Sequence, residues 1–204
     1  MRIPALLAFA AALLIAPAPA PAQDRPAQST VDAYVKATFG KTSPEWQARI
    51  APDETLAMCN LHRNEVPTAV GDAIIARELA RVKFPADATW LGDWKRGYQV
   101  ANNGRGGQFS DPAGTVTGGN CFACHQMDPK ELSYGTLGPS LAGYGRDRKY
   151  APEDIRLAWI KIYNAQAAVP CSNMPRFGTN AVLSEQQMKD VLAYLFDPDS
   201  PVNK

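Results

Sequence analysis

The sequence predicts an all-α protein: a helical domain over residues 89–204, a mainly helical extension over 23–88, and an export signal over 1–22. Three observations carry this reading. Apolar residues recur at three- and four-residue steps, as in Val70, Ile74, Ile75, Leu79 and Val82, the spacing that lines one face of a helix. Start and stop signals bracket several such runs. Between 89 and 204 no segment shows convincing period-two alternation of a strand.

The elements follow in chain order. Arg2 opens a short basic region, Leu6 to Ile15 is apolar, and Ala18 to Ala22 is a run of small residues and proline. That order is the pattern of a secretory signal, with cleavage expected after Ala22. The apolar run is shorter than the roughly 20 residues of a membrane span, and no later segment qualifies, so no span is expected after cleavage. Residues 23–30 read as a disordered start, rich in Gln, Pro and Ala. Val31 to Phe39 is a short helical pattern, and a second follows Pro67 and ends at Phe84-Pro85.

In the second half, Gly92 to Asn103 reads as a helix interrupted by Gly97. Such a glycine costs roughly 1 kcal/mol relative to alanine and often marks close approach by another backbone. Residues 104–119 read as a glycine-rich loop. From His125 to Tyr150 glycines again disfavour helix. Pro152, followed by Glu153 and Asp154, starts the next helix, with Ile155, Ala158, Trp159 and Ile162 as its apolar stripe. Gln166 to Val182 is irregular. The last helix has a capping box in Ser184 and Gln187, a hydrophobic staple in Leu183 and Met188, core positions at Val191, Leu192 and Leu195, and a stop at Asp197-Pro198.

Charge is uninformative. The chain has 21 Lys+Arg and 20 Asp+Glu. Removing residues 1–22 takes away only Arg2, leaving 20 of each sign. Nothing in this balance points to nucleic acid or an anionic membrane as a partner.

Chemistry concentrates in Cys121-Phe122-Ala123-Cys124-His125, the C-x-x-C-H signature of covalent haem attachment. Two thiols at this spacing can add to the two vinyl groups of one haem c, and the adjoining His125 supplies an axial nitrogen to the iron. A chance pentapeptide with structural cysteines is the alternative. The other two cysteines, Cys59 and Cys171, remain as a pair in a compartment that permits disulfides, and a bond between them is expected. It would tie the extension to the loop at 166–182. Two separate buried thiols are the bland alternative.

A low-spin electron-transfer haem needs a second axial ligand, usually Met or His. Met127 is too near His125 to reach the opposite haem face. Met188 belongs to the core of the last helix, and Met58 lies in the extension beside Cys59. Met174 sits in an irregular loop about 50 residues after the haem motif and is the favoured ligand. His62 is the alternative. No separate catalytic set is present, so no catalytic residue is assigned.

The region from Trp90 to Phe196 resembles a class I cytochrome c domain, on its first helix, Cys121 to His125, Gly138-Pro139-Ser140-Leu141, a Met loop and a last helix. The resemblance implies that the Pro139 carbonyl accepts the ring N–H of His125, fixing its tautomer. A narrower similarity is to the SoxX family, the monohaem subunits of the SoxAX sulfur-oxidation cytochromes. It rests jointly on Gly119 to His125, on Leu137 to Arg146, and on Asn173-Met174-Pro175-Arg176-Phe177-Gly178. It implies a periplasmic electron acceptor paired with a SoxA-like monohaem or dihaem cytochrome that carries the catalytic haem. The pair would act as an L-cysteine S-thiosulfotransferase, coupling thiosulfate to a cysteine of the SoxYZ carrier. Electrons would pass on to a soluble cytochrome. A stand-alone periplasmic electron carrier is the alternative.

Overall fold

The computed structural model describes residues 26–204, apart from residues 109 and 113; the expected signal segment lies outside them. The chain divides into two units, one ending at Ala51 and the other running from Pro52 to Lys204. No strand occurs among the described residues.

The first unit has two helices, α1 (Gln28–Phe39) and α2 (Pro44–Ile50). Helix α1 starts three residues before Val31, inside the stretch expected to be disordered. The Ala27 carbonyl accepts from Thr30 and Val31, and Gln28 Nε2 donates to Asp32 Oδ1 at 2.8 Å, which closes the first turn. Helix α2 begins with Pro44 in the first turn and Glu45 behind it, a start that suits the helix dipole. Neither helix buries a residue.

The second unit opens with α3 (Glu54–Leu61) and α4 (Thr68–Leu79). The extension thus holds four helices, where periodicity alone indicated two. Helices α2 and α3 are seven and eight residues long, which gives an apolar face little room to repeat. What starts α3 is a cap: Asp53 Oδ1 accepts the Leu56 N–H at 2.9 Å. Cys59 and Ile74 form a small core with Cys171, flanked by Met58, Val66 and Val70.

The main core lies between α5 (Trp94–Asn102), α7 (Pro152–Tyr163) and α8 (Glu185–Phe196). Asp93 caps α5 through the Lys95 and Arg96 N–H groups. Gly97 is the crossing point of α5 on α8, because a Cβ there would run into the Asp190 carbonyl and come within 2.8 Å of the Tyr194 Cβ. The expected close approach is therefore between these two helices. Asp190 fixes the same crossing by accepting from the Asp93 N–H (2.9 Å), Arg96 Nε (2.9 Å) and Gln186 Nε2 (2.9 Å). Burial pushes the Asp190 carboxyl up, but these donors outweigh it and hold it below the usual carboxylate range. The capping box of α8 is formed by Ser184 and Gln187, and Leu183 and Met188 are both buried in the main core.

The irregular segment after His125 contains one helical turn not expected from its glycines, α6 (Tyr144–Asp147). It is held from outside. The Asn203 Oδ1 accepts the Gly145 and Arg146 N–H groups, each at 3.0 Å, while its Nδ2 donates to the Leu195 and Asp197 carbonyls. Gly145 permits the turn to lie against α8, since a Cβ would stand 2.7 Å from the Leu195 carbonyl oxygen.

Candidate functional site

The C-x-x-C-H segment is anchored to the end of α5. The Gly119 N–H donates to the Val100 carbonyl at 2.8 Å, and the Asn120 N–H to the Asn103 carbonyl at 3.0 Å. Asn120 takes a left-handed conformation (φ 47°), one that Asn tolerates better than most residues. The chain then makes a single 3₁₀ turn over Cys121–Ala123. The Cys121 carbonyl accepts from both Cys124 (3.1 Å) and His125 (2.9 Å). Phe122, 5 % exposed, points into the core, edge-on to Tyr98 at 6.3 Å between centroids.

Cys121 and Cys124 are free thiols. Burial pushes the Cys121 thiol up to about 12, with Cys124 beside it adding to the rise.

Residues 135–141 lie against the motif. The Gly135 N–H donates to the Phe122 carbonyl (2.8 Å), Gly138 to Cys124 (2.8 Å) and Leu141 to Gln126 (2.7 Å). Ser140 Oγ adds a bond to Gln126 Oε1 at 2.9 Å. This lattice brings the Pro139 carbonyl 2.7 Å from His125 Nδ1. A carbonyl only accepts, so Nδ1 carries the proton and Nε2 is left with the lone pair that can coordinate iron. Gly138 makes the approach possible. A Cβ on it would collide with the His125 ring, standing 2.5 Å from Nδ1 and 2.7 Å from Nε2.

Met174 lies in the loop between the 3₁₀ turn Ala165–Ala167 and α8. It is half-buried and packs against the main core, as do Cys121 and Leu141. The Ser172 hydroxyl accepts its N–H at 3.2 Å. On one side of Met174, Cys171 is bonded to Cys59 of α3, with 5.4 Å between their Cα atoms; the expected disulfide is present. On the other side Arg176 is buried at 7 % exposure. Of the remaining methionines, Met188 is a core residue, as its place on the last helix suggests; Met127 is also in the main core, and Met58 flanks the smaller one. His62 is the C-terminal cap residue of α3.

Sequence reasoning missed the charged cluster behind this loop. Arg176 Nη1 donates to Asp53 Oδ2 at 2.7 Å and stands 3.5 Å from Glu78 Oε2. Glu78, with no exposed surface, also accepts from Thr55 Oγ1 (2.5 Å), Asn164 Nδ2 (2.7 Å) and Arg81 Nη1 (3.2 Å). Burial pushes the Glu78 carboxyl up, yet the Thr55 and Asn164 hydrogen bonds with Arg81 and Arg176 hold it below its ordinary value. Only the position of Arg176 beside Met174-Pro175 marked it in the sequence. Glu78 sits on α4 among charged residues and carries no sign of its burial.

The donor set fits a covalently held haem: two cysteines outside any disulfide in one C-x-x-C-H turn, an imidazole of fixed tautomer, and a half-buried thioether packed on the main core. Fold and site together define a c-type cytochrome. Comparison with known proteins agrees. Residues 89–197 match the Cytochrome c family model, and the chain belongs to that family, whose members carry electrons on covalently bound haem c. It is also 36 % identical over 162 residues to an uncharacterized lipoprotein of Aquifex aeolicus (strain VF5), a match covering 78 % of this chain and 76 % of that protein.

Proposed function

We propose that the protein is an exported, single-haem electron relay with His125 and Met174 as axial ligands, working as the SoxX-like subunit of a thiosulfate-oxidising complex. The observation that carries the relay reading is the His125–Pro139 bond at 2.7 Å, which leaves the Nε2 lone pair free to coordinate iron, together with a methionine on a braced loop. Bound haem supplies a one-electron iron centre whose potential Met ligation raises relative to His. The chain's own residues do the rest. Cys121 and Cys124 would hold the porphyrin, Pro139 fixes the ring of His125, and Met174 would supply the second ligand, leaving substrate no open iron position.

The C-x-x-C-H motif occurs once in the sequence, which supports one haem. The signal-like N-terminus supports cleavage after Ala22 and delivery to the periplasm. The description of the Aquifex relative as a lipoprotein supports export of that lineage. The SoxX-like assignment rests on the joint motif set at 119–125, 137–146 and 173–178. It implies a SoxA-like cytochrome as heterodimer partner, SoxYZ as the substrate carrier and a soluble cytochrome as electron acceptor.

Two experiments test this. In the oxidised holoprotein, His/Met ligation gives an absorption band near 695 nm; it is expected in the parent and absent in Met174→Ala. Persistence of the band in Met174→Ala overturns the ligand assignment. Affinity purification from the native periplasm is expected to bring down a second, larger cytochrome, and the pair should become reduced on addition of thiosulfate and SoxYZ. Recovery of the protein alone supports the free carrier instead.

A further inference from the structure

Cys171 and Arg176 bracket Met174, and both are attached to the same helical pair. Cys171 is cross-linked to Cys59 in α3. Arg176 is held by Asp53, the N-cap of α3, and faces Glu78 of α4. The Asp53 carboxyl is pushed up by burial, but the Leu56 N–H and Arg176 outweigh this and keep it ionised. Thr55 and Asn164 orient the Glu78 carboxylate from α3 and from the end of α7. Arg81 neutralises it from the solvent side, 3.2 Å from Glu78 and 3.5 Å from Asp53. A buried guanidinium facing two carboxylates is a geometrically demanding anchor.

We infer that Arg176, seated on Asp53 and Glu78, is a positioning residue for Met174, and that segment 52–88 works as a strut limiting how often the Met174 loop swings off the iron. The inference rests on Met174 being the axial ligand. Two independent tethers flank a short stretch of chain, one covalent and one ionic. A thioether held on such a stretch leaves the iron only when the loop opens, and each tether lowers the population of open loops. The extension would therefore act on the iron through the Met174 loop.

The test uses imidazole as the probe, titrated into the ferric holoprotein, because it binds only when Met174 has left. Asp53→Asn is the primary variant: Asn is an equally good helix cap, so α3 is kept while the ionic hold on Arg176 is weakened. The expected result is imidazole binding about tenfold tighter, the equivalent of one charge-assisted hydrogen bond, with a weaker 695 nm band. The double variant Cys59→Ala/Cys171→Ala should move in the same direction. Ser184→Ala is the control, since it loosens the cap of α8 and lowers global stability while leaving both tethers of Met174, at Cys171 and Arg176, in place. Its imidazole affinity should stay within about twofold of the parent, the spread expected when no contact is lost. The inference is overturned if Asp53→Asn stays within that same range, or if Ser184→Ala shifts affinity as much as Asp53→Asn. A parent protein without the 695 nm band overturns the ligand assignment itself, and is told apart by that spectrum before any imidazole is added.

Discussion

Gly138→Ala tests the architecture under His125. A Cβ at this position would stand 2.5 Å from His125 Nδ1 and 2.7 Å from Nε2, whereas non-bonded atoms rest near 3.5 Å. The ring must therefore move by about 1 Å, or the 135–141 segment must lift away from the Cys124 carbonyl. Either movement stretches the 2.7 Å bond from Nδ1 to the Pro139 carbonyl to roughly 3.5 Å or more, beyond useful hydrogen-bond range. Two costs follow. Overpacking next to a ring that cannot compress costs about 1–3 kcal/mol, read as a fall of several degrees in the thermal midpoint. The lost bond, worth about 0.5–1.5 kcal/mol, acts mainly on the oxidised state, because a proton-sharing imidazole is the more basic ligand and favours ferric iron. One kcal/mol is about 43 mV for a one-electron couple, so the potential should rise by roughly 20–60 mV. Spectroelectrochemical titration of the holoprotein measures the second effect and circular dichroism melting the first. An unchanged potential with an unchanged midpoint would show that the glycine is not what lets Pro139 reach His125.

Three further outcomes follow from other parts of the fold. Gly97→Ala should destabilise the holoprotein by about 1–3 kcal/mol despite the better helix propensity of alanine, because its Cβ meets backbone of α8 rather than a flexible side chain; a higher melting point would contradict the crossing. Ser184→Ala should cost about 1 kcal/mol by removing the acceptor for the Gln187 N–H, measured by denaturant unfolding with an unchanged slope. The carboxyls of Asp53, Glu78 and Asp190 are all lowered in the folded state. Their contribution is therefore complete above the unfolded carboxylate range, near pH 4, and is lost as pH falls through their lower folded values. Melting points should be flat from pH 7 to about 5 and drop below about 4, and loss of stability between pH 7 and 5 would mean that other groups dominate.

Legibility in the sequence followed the length of the signal. The long helices α4, α5, α7 and α8 were readable because periodicity, prolines and caps agreed over nine to twelve residues. The attachment motif was readable because its five residues are contiguous, and the partner of Cys59 because only Cys171 was left. Helices α2 and α3 were not, since two turns hold too few apolar positions to show a face. The turn at Tyr144–Asp147 was hidden for another reason: its stability comes from Asn203, 58 residues further on from Gly145. The Arg176 cluster joins Asp53, Glu78 and Asn164 from three elements, and no local pattern announces a salt bridge across 123 residues.

The disulfide has a consequence for how the protein matures. Its two sulfurs lie at positions 59 and 171, and both haem thiols fall between them. Pairing in order of synthesis would join Cys59 to Cys121, or Cys121 to Cys124, and either bond would block haem attachment. The correct bond cannot form until Cys171 has emerged. In the exported protein proposed above, Cys121 and Cys124 would by then have met the same oxidising environment, in which exchange among thiols is set by exposure and thiolate fraction. A chain that must be oxidised at one pair and reduced at the other therefore depends on sequence of events: either haem captures its two thiols early, or a reductant returns them to the free state after the outer bond has closed.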